Sequence, residues 1–337
     1  LRPGAARLEN EIRLANTTAL AQRWYAWENA AVETSLGWQF CCPTTAGRAW
    51  WAGHKMNYPI HKGRDVSRYK NYTGSSDFFA AGVREDFFGC YNADTGAGVV
   101  HLADWRKCFG KKFFTWGAGP EGLAWGRVFC DQPLRHYVEI QCGPFETQGD
   151  YEWFAPHSEY SWNGCWYPLD RAGPFFHATA DLTLGLRGTG AKRVLTLSPS
   201  VTLGRVRVEI SPYVAQPPSA VRTGEGACAT CKEVELRAAR RADIPCPGTR
   251  GFAVRVSGAD GRALAEVRYP YKPRAEPGLD ARLKRLKRES EAYWKPKTAA
   301  ERLARVPQQL LWGQRKEGLD WLNLGLRKLP RDPRGRL

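Results

Sequence analysis

Between Leu8 and Leu169 short apolar and aromatic segments alternate with Gly, Pro, Asn and Asp, the pattern of short strands joined by turns. Residues 22–27 and 137–142 alternate with period two, so each run sends one set of side chains to a core and the other to an accessible face. In the second run Glu139 and Gln141 share a face, with Val138, Ile140 and Cys142 opposite. Two adjacent polar side chains on one strand face of an aromatic-rich sheet suit a carbohydrate groove. Plain solvent exposure accounts for them as well.

A second all-β stretch runs from residue 173 to 271. Residues 176–186, 193–197, 205–210, 233–238, 252–256 and 263–267 resemble strands, and six short strands without embedded helices make a β-sandwich. This stretch holds few aromatics and no reactive cluster, so its expected role is support. After Tyr271 the pattern turns helical. Leu303, Val306, Leu310 and Leu311 form one stripe, and Leu319, Leu322, Leu326 and Leu329 another, with residues 313–318 as the turn between them and Pro330 as the stop. Such a helix pair resembles one tetratricopeptide unit, which cannot bury its own face, so more repeats are expected after Leu337. Three segments are thus predicted: 1–172, 173–271 and 272–337.

Composition sharpens the first segment. Fourteen tryptophans against a single methionine exceed what a core needs, and exposed indole and phenol rings are the usual platform for the C–H faces of sugars. Sheet packing is the plainer use of any one of them. The net charge of +16 is uneven: residues 272–337 hold 18 Lys/Arg and 8 Asp/Glu, hence +10, and the other 271 residues hold 32 and 26, hence +6. A basic tail can bind nucleic acid or an anionic membrane. Its regular apolar positions fit amphipathic helices with a solvated face better, so neither partner is expected.

Ten scattered cysteines, several within apolar runs such as those around Cys130 and Cys142, read as buried free thiols and favour a reducing, cytoplasmic compartment. Cys228-x-x-Cys231 with Cys246 supplies three sulfurs and no fourth ligand, so neither a metal nor another cofactor is expected. No apolar run approaches the roughly 20 residues of a membrane helix. No signal peptide is visible; the strand-like start, together with the single trailing helix pair, suggests a chain cut at both ends.

Candidate chemistry concentrates in two places. Residues 77–116 carry Asp86 beside Phe87, Phe88 and Gly89, then His101, Asp104 and Trp105, then Trp116. A titratable histidine and carboxylates among aromatic strands supply the acid and base that breaking an acetal or opening a sugar ring requires. Residues 154–168 carry His157 and Glu159 with Trp162, Trp166 and Tyr167 as possible stacking platforms. No phosphate-binding glycine loop, Gly-x-Ser-x-Gly elbow or His-Glu-x-x-His occurs.

The order of Trp27-Glu28-Asn29-Ala30-Ala31-Val32, Asp86-Phe87-Phe88-Gly89, His101, Gly110-Lys111-Lys112 with Thr115-Trp116-Gly117, and Tyr137-Val138-Glu139 with Gln141 and Gly143 resembles a bacterial domain family of unknown function. That family precedes tetratricopeptide repeats and is similar in fold to galactose mutarotase, a β-supersandwich with a sugar-binding concave face. The resemblance covers about residues 8–169. It implies a mainly β chain: a supersandwich lacking its upstream part, then a β-sandwich, then a tetratricopeptide-like helical segment. It implies carbohydrate binding and glycoside hydrolysis, with Asn29, Asp86, His101, Trp116, Glu139 and Gln141 lining the groove. The family often has a Glu between the paired tryptophans of the later motif; this chain has Gly164 there, with Glu159 as the substitute.

The leading expectation is a glycoside hydrolase in which Glu139 and Glu159 are the acid/base carboxylates and His101 assists. Trp27, Trp116, Trp162 and Trp166 would stack on sugar, with Asn29, Asp86 and Gln141 as further contacts. Two alternatives stand beside it. One is a non-catalytic carbohydrate-binding scaffold whose helices recruit a protein partner. The other is an aldose epimerase, which needs one base and one acid but no cleavage.

Overall fold

The computed structural model describes residues 3–48, 55–130, 136–212, 230–246, 251–274, 276–294, 297–306 and 315–329. As the alternation predicts, the chain is mainly β with helices towards its C-terminal end. One sheet has five strands in the order β1 (Leu8–Asn16), β15 (Ser158–Asp170), β11 (Ala97–Ala103), β10 (Phe87–Asn92) and β4 (Trp38–Cys41). A second has six: β3 (Glu28–Thr34), β13 (His136–Gly143), β12 (Gly110–Thr115), β9 (Ser76–Ala81), β5 (Ala46–Arg48) and β6 (Lys55–Asn57). All these neighbours are antiparallel. Two ribbons accompany them, β2 (Gln22–Trp24) with β14 (Glu152–Phe154) and β7 (Ile60–His61) with β8 (Arg64–Asp65).

The inner faces of the two sheets enclose Trp38, Phe40, Phe78, Phe88, Phe113 and Ile140, all essentially inaccessible. Each such side chain stabilises the fold by roughly 1.5–3 kcal/mol through burial. Phe113 meets Trp38 edge-on at 5.4 Å, the geometry that aromatic quadrupoles prefer.

The second sandwich pairs β16 (Phe175–Ala178), β17 (Leu182–Arg187), β18 (Val194–Pro199) and β21 (Ala242–Pro245) against β20 (Thr230–Leu236), β19 (Gly204–Pro212), β22 (Phe252–Gly258) and β23 (Ala263–Tyr269). Leu184, Leu197, Val208, Ile210, Phe252 and Val254 fill it. The single strand predicted over 176–186 is two strands, because Thr179 turns the chain: its N–H donates to Leu182 O at 2.8 Å, and Leu182 N–H donates to its hydroxyl at 3.1 Å. β21 is too short for its alternation to stand out in sequence. Cys231 is exposed on β20 and Cys246 lies buried; Cys228 falls outside the described residues.

A third core joins the two sandwiches. Phe87, Val100, Leu102, Tyr167 and Leu169, on the outward side of the five-stranded sheet, pack with Phe175. Tyr167 donates its hydroxyl to Thr179 O at 2.7 Å. One outer face is therefore spent on packing in this region, whereas the outer face of the six-stranded sheet carries the polar row described below.

No helix is predicted before residue 272, yet α1 (Pro120–Phe129) follows β12, with Pro120 in the first turn where its missing N–H costs nothing. Packing separates two compact units, one holding the described residues as far as Leu279 and the other those from Asp280 to Leu329. The helices are α2 (Leu279–Trp294), α3 (Ala299–Leu303) and α4 (Arg315–Lys328). Thr298 and Glu301 form a capping box at the start of α3. Leu303 is fully buried and reaches the backbone of α4 at Gly325, where a Cβ would stand 2.7 Å from Leu303 Cδ1. Gly318 and Gly325 are buried while Leu319 and Leu326 stay 50% and 42% exposed, so the predicted leucine stripe is not the inward face. Helix already begins at Arg315, inside the predicted turn; Leu310 and Leu311 lie outside the described residues. No described helix is long and apolar enough to cross a membrane.

Candidate functional site

Strand register turns the outer face of the six-stranded sheet into rows of side chains. Phe114 stands opposite Glu139 on one side and Asp77 on the other, and Ala31 completes that row. The next row reads Arg48, Phe79, Lys112, Gln141 and Asn29. Neighbouring strands lie about 4.8 Å apart, which puts the Asp77 and Glu139 Cα atoms about 10 Å apart across Phe114.

Hydrogen bonds hold Glu139 in place. Its Oε2 accepts from Asn29 Nδ2 at 2.8 Å and from Gln141 Nε2 at 2.7 Å. Lys112, one row along, is 1% exposed, and its Nζ lies 4.6 Å from the Trp27 ring centre and 5.0 Å from that of Phe79. Burial pushes this amine down to about 8, against the upward pull of Asp77 and Glu139. At the end of the row Arg48 donates to Asp150 at 2.8 Å and lies 3.4 Å from Glu146, fastening the 144–150 loop to the sheet.

Beyond Glu139 the face ends in an aromatic wall. Trp116 donates its indole N–H to Tyr137 Oη at 3.0 Å. Its ring is enclosed by Phe114 at 5.0 Å, Trp125 at 4.9 Å and Phe129 at 5.3 Å. Trp125 and Phe129, not Trp116, present the more exposed rings, at 37% and 52%.

Of the residues expected from sequence, Trp27, Asn29, Glu139 and Gln141 meet on this face and Trp116 borders it. The others do not join them, which corrects the expected acid/base pair. Glu159 lies on the outward side of the five-stranded sheet, half exposed, paired with Arg13 at 2.7 Å. It therefore cannot act with Glu139 on one sugar. His101 is fully buried between the sheets, 4.2 Å from the Trp166 ring. Asp86 sits at the entry to β10, where its carboxylate accepts Trp105 N–H at 2.9 Å and shapes a turn. Trp162 and Trp166 also point inward and use their indole N–H groups within the protein.

Those inward groups converge on Glu28, which lies between Trp27 and Asn29 in the chain but faces the interior. Its carboxylate accepts from Asn10 at 2.9 Å, from Trp166 at 3.2 Å and from Trp162. His101 Nε2 stands 3.6 Å away, an ion-pair separation rather than a hydrogen bond. Burial works to raise the Glu28 carboxyl, yet His101, Asn10 and Trp162 together hold it down at about 2. Burial likewise opposes charging of His101, and the attraction of Cys142 and Glu28 outweighs it and raises the imidazole. The carboxylate between the paired tryptophans is thus Glu28, not residue 159 or 164.

Sequence reasoning missed Lys112, Asp77, Phe114 and Arg48 on the face, and Glu28 beneath it. The parity of residues 137–142 extends across register to Lys112 and Phe114, but only once the strands are paired. Glu28 was visible in the Trp27–Val32 motif without its direction. Among the described residues no group of three or more His, Cys, Asp or Glu side chains is arranged to hold a metal ion.

Residues 3–165 match DUF5107, a domain of unknown function. The match falls on the segment that carries the resemblance read from sequence. Solved structures similar to parts of the chain include a TPR-domain containing protein from Parabacteroides distasonis, at 22% identity and a TM-score of 0.43 over 48% of this chain and 28% of that one. A candidate aldose 1-epimerase from Klebsiella pneumoniae is 11% identical, with a TM-score of 0.35 over 50% of this chain and 45% of that one. One from Escherichia coli is 10% identical, with a TM-score of 0.34 over 49% and 56%. The matched part of the chain spans about a quarter to a little over half of these proteins.

Proposed function

We propose that the outer face of the six-stranded sheet binds a sugar and interconverts its anomers, with Glu139 as base and Lys112 as acid. The observation that carries this reading is the pairing, on one face, of a carboxylate held by two amides with a buried lysine brought down to about 8. Proton transfer is most efficient when donor and acceptor titrate near the working pH, and an ammonium at about 8 is a far better acid than an ordinary lysine. Glu139 takes the proton of the anomeric hydroxyl as the bond from C1 to the ring oxygen breaks. Lys112 gives its proton to that oxygen, and after rotation about C1–C2 the reverse transfers close the other anomer. Phe114, between Asp77 and Glu139, supplies a flat floor for the sugar's C–H face.

Polarimetry of freshly dissolved α-galactose and α-glucose tests the reading. Faster equilibration is expected with the wild-type chain, and none beyond background with Glu139→Gln or Lys112→Met. A second reading, glycoside hydrolysis, is favoured by the placement of Asp77 and Glu139 in one row about 10 Å apart at Cα. Carboxyl groups separated by about 6.5–9.5 Å suit an inverting mechanism. It predicts reducing ends released from neutral oligosaccharides and lost in both Asp77→Asn and Glu139→Gln.

A further inference from the structure

A groove of about 360 Å³, which shares no lining residue with the Glu139 row, lies between the end of β1, the β2–β14 ribbon and the loop at residues 17–18. Trp24, Tyr25 and Phe154 line it with Leu14, and Asn16, Thr17, Thr18 and Gln22 supply its polar atoms. Its size is that of a small-molecule site.

Two features define what fits. The chain carries 50 basic and 34 acidic side chains, yet none of them lines this groove. The alternation of β2 contributes to this: Gln22 and Trp24 line the groove, while Arg23 lies over the Tyr151 ring at 3.6 Å. An ionic ligand would find no counter-charge here. The polar groups are also divided between structure and solvent. Asn16 spends its amide on the carbonyls of Leu20, Phe154 and Ala155, at 2.8, 3.0 and 3.0 Å, and its oxygen on Thr18, which fixes the groove's shape. The Thr17 hydroxyl, the Gln22 side-chain carbonyl and the Tyr25 hydroxyl make no hydrogen bond to another described residue, and Tyr25 is 53% exposed. Flat aromatic surface beside uncommitted hydroxyl and amide groups, without charge, matches a ligand with apolar C–H faces and a rim of hydroxyls.

We infer that this groove is a second binding site, separate from the reacting face, for a ring of a neutral saccharide. It holds sugar without transforming it, since no carboxylate, imidazole or amine lines it. The inference does not depend on the acid–base reading of the sheet face.

Calorimetric titration of the full chain with maltose, cellobiose and lactose, with glucuronate as the charged control, tests it. The titrations are run on wild type and on the Glu139→Gln/Lys112→Met double variant, which disables the other face. Binding of at least one neutral disaccharide is expected in both. It should weaken at least tenfold when Tyr25→Ala or Gln22→Ala is added, with anomer interconversion by the single variants unchanged. Both side chains are exposed, so these variants keep the fold, which circular dichroism verifies. Binding that disappears in the double variant, survives both groove substitutions unchanged, or favours glucuronate would overturn the inference. So would a lack of binding by all three disaccharides.

Discussion

The Glu28 carboxylate lies 3.0 Å from the point where a Cβ on Gly164 would stand. The acidic group between Trp162 and Trp166 thus crosses over from the opposite sheet, and the glycine leaves room for it. Asn10 Oδ1 is closer still, at 2.4 Å from the same point. Gly164→Ala must push both side chains away and should destabilise the fold by about 1–3 kcal/mol, as overpacking does. Urea unfolding at pH 7 measures this, and an unchanged midpoint would contradict the packing described.

Glu28→Gln replaces an acceptor with an amide whose N–H groups face the indole donors. The carboxyl is held at about 2 in the fold, against 4.5 for the free group. Because the folded value is the lower one, its contribution is fully present above about 4.5 and disappears as pH falls through 2. Allowing for solvent screening, the variant should lose about 2 kcal/mol at pH 7. The gap from wild type should narrow in acid. Equal loss at all pH values would show that shape, not charge, matters at this position.

Lys112→Met should separate activity from stability. The folded amine titrates near 8 and the unfolded one at 10.5, so the unfolded chain binds more protons between those values. Wild-type stability should therefore rise as pH climbs from 8 to 10.5. An apolar replacement removes the cost of burying the ammonium, so the variant should melt higher than wild type at pH 7 while losing turnover. Wild-type turnover should fall above pH 8 as the acid is lost. A variant that keeps full turnover would remove Lys112 from the proposed chemistry.

Arg48→Met strips the counter-charge from Glu146, which is buried, and from Asp150. Removing one partner of a buried ion pair costs about 3 kcal/mol or more, although Glu146 keeps the Gly82 N–H at 3.1 Å. The 144–150 loop should loosen, read as faster amide exchange there. Protection equal to wild type would mean that the loop is held by other contacts.

How much of this was legible in the sequence depended on what alternation can report. Over 137–142 it correctly divided Glu139 and Gln141 from Val138, Ile140 and Cys142. Alternation separates inside from outside, but a sandwich has two outsides, and nothing in the runs around Glu139 and Glu159 says which sheet each joins. Pairings such as Leu8 with Trp166 and Asn29 with Gln141 decide that, across more than a hundred residues. His101 misled for a related reason. Its neighbours Val100 and Leu102 are apolar because they face the second sandwich, so both sides of β11 are buried and the polar residue marks no surface. Lys111 and Lys112 stood in the sequence only as part of a motif, and both are almost wholly enclosed, one on each side of β12.

Residues 27–29 serve two compartments in consecutive positions: indole above, carboxylate below, amide above. A single residue inserted or deleted just after Asn29, with the rest of β3 held in register, would hand the amide to the hydrophobic interior and the acid to the ligand. Point substitutions can tune either side of this strand separately, whereas a frame slip exchanges them wholesale. Length, more than identity, is the property of this segment that the protein can least vary.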